Sequence, residues 1–192
     1  MAVLVVQINS RGLIMNSIFK GMIFIFLSIN FTFGNSKIDL LPDFIGYFMI
    51  LNGLDELYNQ SENFIKIKPF VLGLGIYSVI TLILNLAGIT IELGYIAVIA
   101  GILYTIFLIY ITYKIILGIM DIEKKINKSL NTEKLMSNWK LMITFNILTF
   151  ITIFIPVLAI ICLIVYVVFV IAYLIAFNTT KNLYYENNGN LN

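Results

Sequence analysis

The chain contains no histidine, a single cysteine and three prolines, and only 11% of its 192 residues carry a charge. The missing histidine removes the commonest metal ligand and the one side chain whose ordinary pKa lies near neutrality. A Ser-His-Asp relay and histidine-bearing zinc centres are therefore excluded within this chain, and any proton chemistry falls to carboxylates. One cysteine, Cys162, excludes an intramolecular disulfide and thiolate metal clusters. The sequence also lacks a GxxxxGK phosphate loop, a GxGxxG turn, an HExxH zinc helix and a GxSxG elbow. Asp43 and Asp55 stand 12 residues apart, about 18 Å along a helix, too far to share a proton as a catalytic dyad does. No catalytic, cofactor-binding or metal-binding set emerges, so no cofactor is expected and an enzyme is not the reading these residues support.

What is present is apolar surface. Hydrophobic residues make up 60% of the chain and the mean hydropathy is +0.99, whereas a soluble domain is near half apolar and a quarter charged. A soluble core of this composition fails on surface area, because a chain of this size leaves much of its surface in water. The composition predicts an all-α, polytopic membrane helix bundle forming one membrane domain over 1–192. Six transmembrane helices are expected, near 18–33, 40–57, 69–91, 93–118, 139–155 and 157–177, with a cytoplasmic loop at 119–138 and a five-helix arrangement as the alternative.

Taken in order, Met1 to Ile14 reads as an irregular start, and Met15 is as good a beginning as Met1. Lys20 opens the first apolar run and is placed to snorkel toward headgroups. The bulky Asn30-Phe31-Thr32-Phe33 that follows lacks the small-residue cleavage pattern of a signal peptide, so a retained helix is expected. The stretch Ile38–Leu57 carries Pro42 near a helix start, but its uninterrupted apolar part between Asp43 and Asp55 is 11 residues, against about 20 for a helical crossing. It is either a short crossing with acidic ends or a helix that lies at the interface or re-enters. Tyr58–Lys68 reads as a polar linker, after which Pro69 starts a full-length crossing where Gly73 and Gly75 admit a close neighbour. Glu92 reads as a turn residue before the next helix, in which Ala97 and Gly101 form a weak small-xxx-small pair.

Tyr104, Tyr110 and Tyr113, with Lys114 beyond them and no basic groove beside them, suggest an interfacial belt rather than a stacking platform, and no nucleic acid is expected as a partner. The interval 121–140 is the longest polar one, with Ile122, Ile126 and Leu130 at four-residue spacing. Leu141–Phe177 is an uncharged apolar run of 37 residues, about 55 Å as one helix, so two crossings broken at Pro156 are expected. In its first half Asn146, Thr149 and Thr152 share a face, fit for interhelical hydrogen bonds or a polar path.

The run Leu40-Leu41-Pro42-Asp43-Phe44-Ile45-Gly46-Tyr47, followed by Leu51, Gly53 and Leu57, resembles a segment of small uncharacterised multi-pass membrane proteins of low-GC Gram-positive bacteria. The resemblance covers about 20 residues. It implies residence in a bacterial cell membrane and carries no reaction.

Charge distribution orients the chain. With six helices and both termini in the cytoplasm, eleven of the twelve basic residues lie inside and only Lys37 outside. With five helices Arg11 and Lys20 move to the outside, so the positive-inside bias favours six. Without residues before Met15 the two arrangements tie. Two functions follow: a protein that packs with or regulates a membrane partner, or a small transporter or channel component with a polar path near 40–57. The polar path would use Asp43, Asn52, Asp55 and Glu92. Lys124, Lys125, Lys128 and Lys134 are candidates for contact with anionic lipids or a partner protein.

Overall fold

The computed structural model describes residues 14–27, 30–33, 36–39, 42–87 and 95–189. Glu92, Arg11 and the Val3–Val6 patch lie outside the described residues. Six helices are described: α1 (Ile14–Phe26), α2 (Asp43–Leu57), α3 (Glu62–Leu86), α4 (Tyr95–Ile126), α5 (Thr132–Ile151) and α6 (Pro156–Gly189). Two short strands, β1 (Asn30–Phe33) and β2 (Ser36–Asp39), separate α1 from α2. The chain divides into two compact units, one ending at Gly118 and one beginning at Ile119.

In the first unit the first helix stops at Phe26 rather than reaching residue 33. Asn30–Phe33 instead pairs antiparallel with Ser36–Asp39, Phe33 opposite Ser36 and Asn30 opposite Asp39. The reason is local: alternating Phe and Thr favour extended backbone, and Gly34-Asn35 is a two-residue hairpin signal. Helix α2 then begins at Asp43, directly after Pro42 in extended conformation (φ −60°, ψ 123°). Proline disfavours helical geometry in the residue before it and suits the entry to a helix, so Pro42 sets this boundary.

Helices α1 and α2 run antiparallel and touch through their backbones. A Cβ on Gly21 would stand 2.5 Å from the Gly46 carbonyl oxygen, and one on Gly46 would stand 2.7 Å from that of Gly21 and 2.9 Å from Ile25. On its other side α2 meets α3, where a Cβ on Gly75 would lie 3.2 Å from Cβ of Tyr47. Buried Gly46, Tyr47, Ile50, Gly53, Leu54 and Leu57 recur at the three-to-four-residue spacing of one helix face. Gly75 thus admits its neighbour, whereas Gly73 and Gly101 have nothing within 4 Å.

Helix α3 starts seven residues before Pro69, so the expected linker is mostly helix. Ser61, with extended φ −156° and ψ 139°, caps it by accepting the Asn63 N–H at 3.1 Å. Glu62 in the first turn and its 2.9 Å ion pair with Lys66 support the same start. Pro69 then falls inside the helix, where its missing N–H forgoes one backbone bond. Phe64, Ile67, Val71 and Leu74 form the buried stripe, while Leu72, Ile76, Ile80 and Ile83 are exposed although equally apolar. A helix that is apolar all round belongs in hydrocarbon.

The second unit is built on a helical hairpin. The interval expected as a loop, 119–138, is helix on both flanks, because α4 continues to Ile126 and α5 begins at Thr132. Only 127–131 turns, with Asn127 (φ 50°) and Asn131 (φ 61°) in the left-handed region that asparagine tolerates. Glu123 holds the turn by accepting the Leu130 N–H at 2.8 Å and the Thr132 hydroxyl. Helix α5 ends at Ile151, a 3₁₀ turn covers Thr152–Phe154, and extended Ile155 (φ −121°, ψ 88°) hands over to Pro156 as the first residue of α6. The residue before a proline is pushed out of helical geometry, which places the break here in an otherwise uninterrupted apolar run. Helices α5 and α6 pack along one another, with Phe145 stacked on Phe169 at 5.4 Å and Asn138 donating to the Ala172 carbonyl at 3.1 Å.

Adding even one methyl at the α1–α2 crossing forces the helices apart, because the nearest atom in the way is a backbone carbonyl oxygen. Gly46→Ala is expected to lower stability by about 2–3 kcal/mol, as overpacking of a filled interior does. Gly73→Ala, in open space on a helix, should be neutral or stabilising by about 0.5–1 kcal/mol. Denaturant unfolding of the two variants in detergent micelles checks the contrast.

Candidate functional site

The site is built where α2 begins. Asp43, the first residue of α2, is half-buried. The Tyr47 hydroxyl, one turn further on, donates to the Tyr104 hydroxyl at 2.9 Å, and Tyr104 in turn donates to Asp43 Oδ2 at 3.4 Å. Tyr77 of α3 packs against Tyr104 with ring centroids 6.1 Å apart. Three helices therefore converge on one carboxylate.

The depth of this cluster follows from helix register. In α3 the last charge is Lys68, and Tyr77 lies eight residues beyond Pro69 and nine before Leu86. In α4 Tyr104 lies nine residues after Tyr95 and ten before Lys114. Each tyrosine is at the middle of an uncharged stretch about 27 Å long, close to the hydrocarbon thickness of about 30 Å. Charged and polar groups gather at one end of the same unit. Lys68 pairs with Asp55, Lys66 with Glu62, and Lys114 donates to Asn63 at 3.0 Å. Asp55, near the last turn of α2, belongs to this polar end, and Asp43 lies about 18 Å further along the helix axis.

Beside the tyrosines a groove of about 380 Å³ runs between α3 and α4. Phe70, Leu74, Tyr77, Leu103, Tyr104 and Phe107 line it, and Gly73 leaves its wall open. Its surface is almost wholly apolar, so it is no water-filled path.

Of the described residues proposed for a polar path, Asp43 is the one bonded to a tyrosine within an uncharged helical stretch. Asn52 is exposed on α2, Asp55 is exposed and ion-paired, and Glu92 lies outside the described residues. The sequence alone gives Tyr47 and Tyr77 no functional role and reads Tyr104 as an interfacial residue. The tyrosine now found bonded to Asp43 had one available signal, its position ten residues from the nearest charge on its helix. Tyr110 and Tyr113 do stand near Lys114, whose ammonium lies 5.9 Å from the Tyr110 ring.

The lysines are partly gathered. Lys124 and Lys128 line a cleft of about 540 Å³ with Glu123, Asn127, Ser129, Asn131, Thr132 and Glu133, so its charges balance. Lys128 also lies 3.5 Å from the Asn187 carbonyl, while Lys125 and Lys134 are exposed and do not line the cleft. In the first arm of the hairpin the threonines are spent locally, whereas the Asn146 side-chain oxygen is buried without a hydrogen-bond partner. Thr144, Thr149 and Thr152 bond carbonyls of their own helix at 2.7–2.9 Å, so their hydroxyls form no interhelical ladder. Among the described residues no three of His, Cys, Asp and Glu gather as a metal would require.

Three helices, Glu62–Leu86, Ile99–Ile126 and Pro156–Asn187, are long and apolar enough to cross a membrane. With Ile76, Ile80, Ile83, Ile164, Val168 and Ile175 all exposed to the surroundings, the chain is a multi-span, all-α membrane protein in contact with lipid. Comparison with protein-family models, curated proteins and solved structures finds no match to the chain.

The Tyr104 hydroxyl joins Tyr47 to Asp43, and Tyr104→Phe keeps the ring while leaving both partners one hydrogen bond short. A loss of about 1–3 kcal/mol is expected, the cost of unsatisfied groups away from water. Tyr110→Phe, near the polar end, should shift the unfolding transition by less than half of that.

Proposed function

We propose that this protein is a small transporter or channel component in which Asp43 binds the transported proton or cation in the middle of the membrane. The observation supporting this is the hydrogen bond that ties Asp43 to Tyr104, which lies ten residues from the nearest charge on its helix. An ionisable residue at that depth is costly, and membrane proteins keep such residues for ion or substrate passage. A carboxylate at the start of a short helix, with non-helical backbone before it, is also the arrangement of transporter sites built from interrupted helices.

The topology that goes with this reading uses six segments. Helix α1, 13 residues, and α2, 15 residues, are about 20 Å and 22 Å long, too short to cross alone. Each needs part of the segment that joins them to complete a crossing. Antiparallel α1 and α2 return the chain to the side from which it entered, and the positive-inside bias makes that side, with both termini, the cytoplasm.

Single cysteines at Lys37 and Gln60 on a Cys162→Ser background should react with membrane-impermeant reagent from opposite sides. Labelling of both from one side would reject the crossing.

For the activity, proteoliposomes with a trapped pH-sensitive dye should show proton entry that Asp43→Asn reduces at least tenfold and Asp55→Asn leaves intact. Flux that is absent in the wild type, or unchanged in Asp43→Asn, would remove Asp43 from any such mechanism.

Packing with or regulation of a membrane partner is a second reading, favoured by the apolar turn between α5 and α6. Phe154 there is 90% exposed, and Ile151, Ile153, Ile155 and Val157 are exposed around it. The exposed Lys125 and Lys134 at the other end of the hairpin would, on that reading, meet anionic headgroups or a partner's acidic loop.

A further inference from the structure

We infer that the turn joining α5 to α6, Ile151–Val157, ends inside the hydrocarbon of the bilayer and is covered by lipid chains. The hairpin then enters and leaves on one face of the membrane without delivering its turn to the water on the other. This stands apart from the transport reading, because a hairpin returns the chain to the side it came from whether or not its turn emerges, and Asp43 belongs to the other unit.

The two ends of α5 carry opposite kinds of turn. Between α4 and α5 the chain turns through Asn127, Lys128, Ser129 and Asn131, the residue types that turns in water favour. Between α5 and α6 it turns through Ile151, Ile153, Phe154 and Ile155, with Thr152 as the one polar side chain. Phe154 is 90% exposed and Val157 72% exposed, so nothing in the chain covers this end. The polar groups here are met from within, as backbone in hydrocarbon requires. Thr152 gives both its N–H and its hydroxyl to the Leu148 carbonyl, the hydroxyl at 2.7 Å. The Ile155 N–H bonds the Thr152 carbonyl at 2.8 Å, the Ala159 N–H bonds the Ile155 carbonyl at 3.0 Å, and Pro156 has no N–H to satisfy.

Length sets how far the turn reaches. The last charge before it is exposed Lys140. From there the remainder of α5 and the 3₁₀ turn extend about 22 Å to Phe154. A lysine stem stretched toward the headgroups adds about 5 Å, one helical turn, which gives about 27 Å against a hydrocarbon core of about 30 Å. Helix α6 gives the same measure independently. Its exposed apolar face begins at Val157, passes through Ile160, Ile164, Val168 and Ile171, and ends at Ile175, a rise of about 27 Å. The turn continues this lipid-facing surface without a break in its apolar character, and lipid chains are therefore the occupant that fits it.

A nitroxide attached to Phe154→Cys on a Cys162→Ser background, in the full chain in phosphatidylcholine vesicles, tests the inference by power saturation. Oxygen concentrates in hydrocarbon and a nickel chelate stays in water, so their relative collision rates report what surrounds the label. Phe154→Cys is expected to favour oxygen over nickel by roughly tenfold relative to Lys128→Cys in the polar turn, because a polar chelate does not enter hydrocarbon. A membrane-impermeant maleimide should label Lys128→Cys in vesicles and leave Phe154→Cys unlabelled from either side until detergent is added. Each variant is compared only when its thermal transition matches the wild type, and Val157→Cys serves as a second site in the turn.

Nickel access at Phe154, or maleimide labelling there from the side opposite Lys128, would overturn the inference and make the hairpin two complete crossings with its turn in water. Protection from oxygen and nickel alike would overturn it in another way, since protein rather than lipid would then cover the turn, as a second copy of the chain or a partner would. Proton flux and its dependence on Asp43 are read separately, so the transport reading can fail while the turn stays in lipid, and the reverse.

Discussion

The contact between the backbones of α1 and α2 at Gly21 and Gly46 is the constraint from which the first unit follows. Helices in a membrane gain nothing from leaving lipid for each other through hydrophobicity alone, so they associate by close packing and hydrogen bonding. Here each glycine leaves room for the other's carbonyl oxygen, with Ile25 and Ile50 packed beside the crossing. Gly75 does the same for Tyr47 on the opposite flank of α2. A 15-residue helix, too short to be held by matching the bilayer thickness, is thereby fixed at one depth by its neighbours.

That depth gives Asp43 its meaning. The two ends of α2 meet different surroundings: Asp55 lies exposed and paired with Lys68, while Asp43 accepts from the Tyr104 hydroxyl of α4, which itself accepts from Tyr47 of α2. The same residue type is therefore an exposed ion pair at one end and a half-buried, tyrosine-bonded carboxylate at the other. The cost of the second is offset in part by a hydrogen bond from Tyr104, itself held by Tyr47, so the three groups form one chain of donors ending at the acid.

The second unit solves a different problem with the same economy of polar groups. A 37-residue apolar run is divided by Pro156, whose restriction on Ile155 turns the chain where length alone would allow several places. Its threonines bond their own helix, and the packing of α5 on α6 includes Phe145 against Phe169 and a bond from Asn138 to Ala172. At the other end Glu123 satisfies an N–H and a hydroxyl of the turn into α5, which makes a charged residue a structural staple rather than part of a mobile loop.

Membrane residence, the helical class, the lack of histidine chemistry and the break at Pro156 were all legible in the amino-acid sequence, because each depends on composition or on a local backbone restriction. The start of α3 at Glu62 was also legible in principle, through Ser61 and the Glu62–Lys66 spacing, but the neighbouring Pro69 is the louder local signal. What the sequence could not decide was the role of Asp43 and Asp55, which look alike at the two ends of one short helix. Nor could it show that Tyr104 lies beside Asp43, 61 residues away in the chain. Those distinctions arise only when glycine contacts set α2 against α1 and α3, because depth in a membrane and proximity between helices are properties of packing, and packing is not written at any single position.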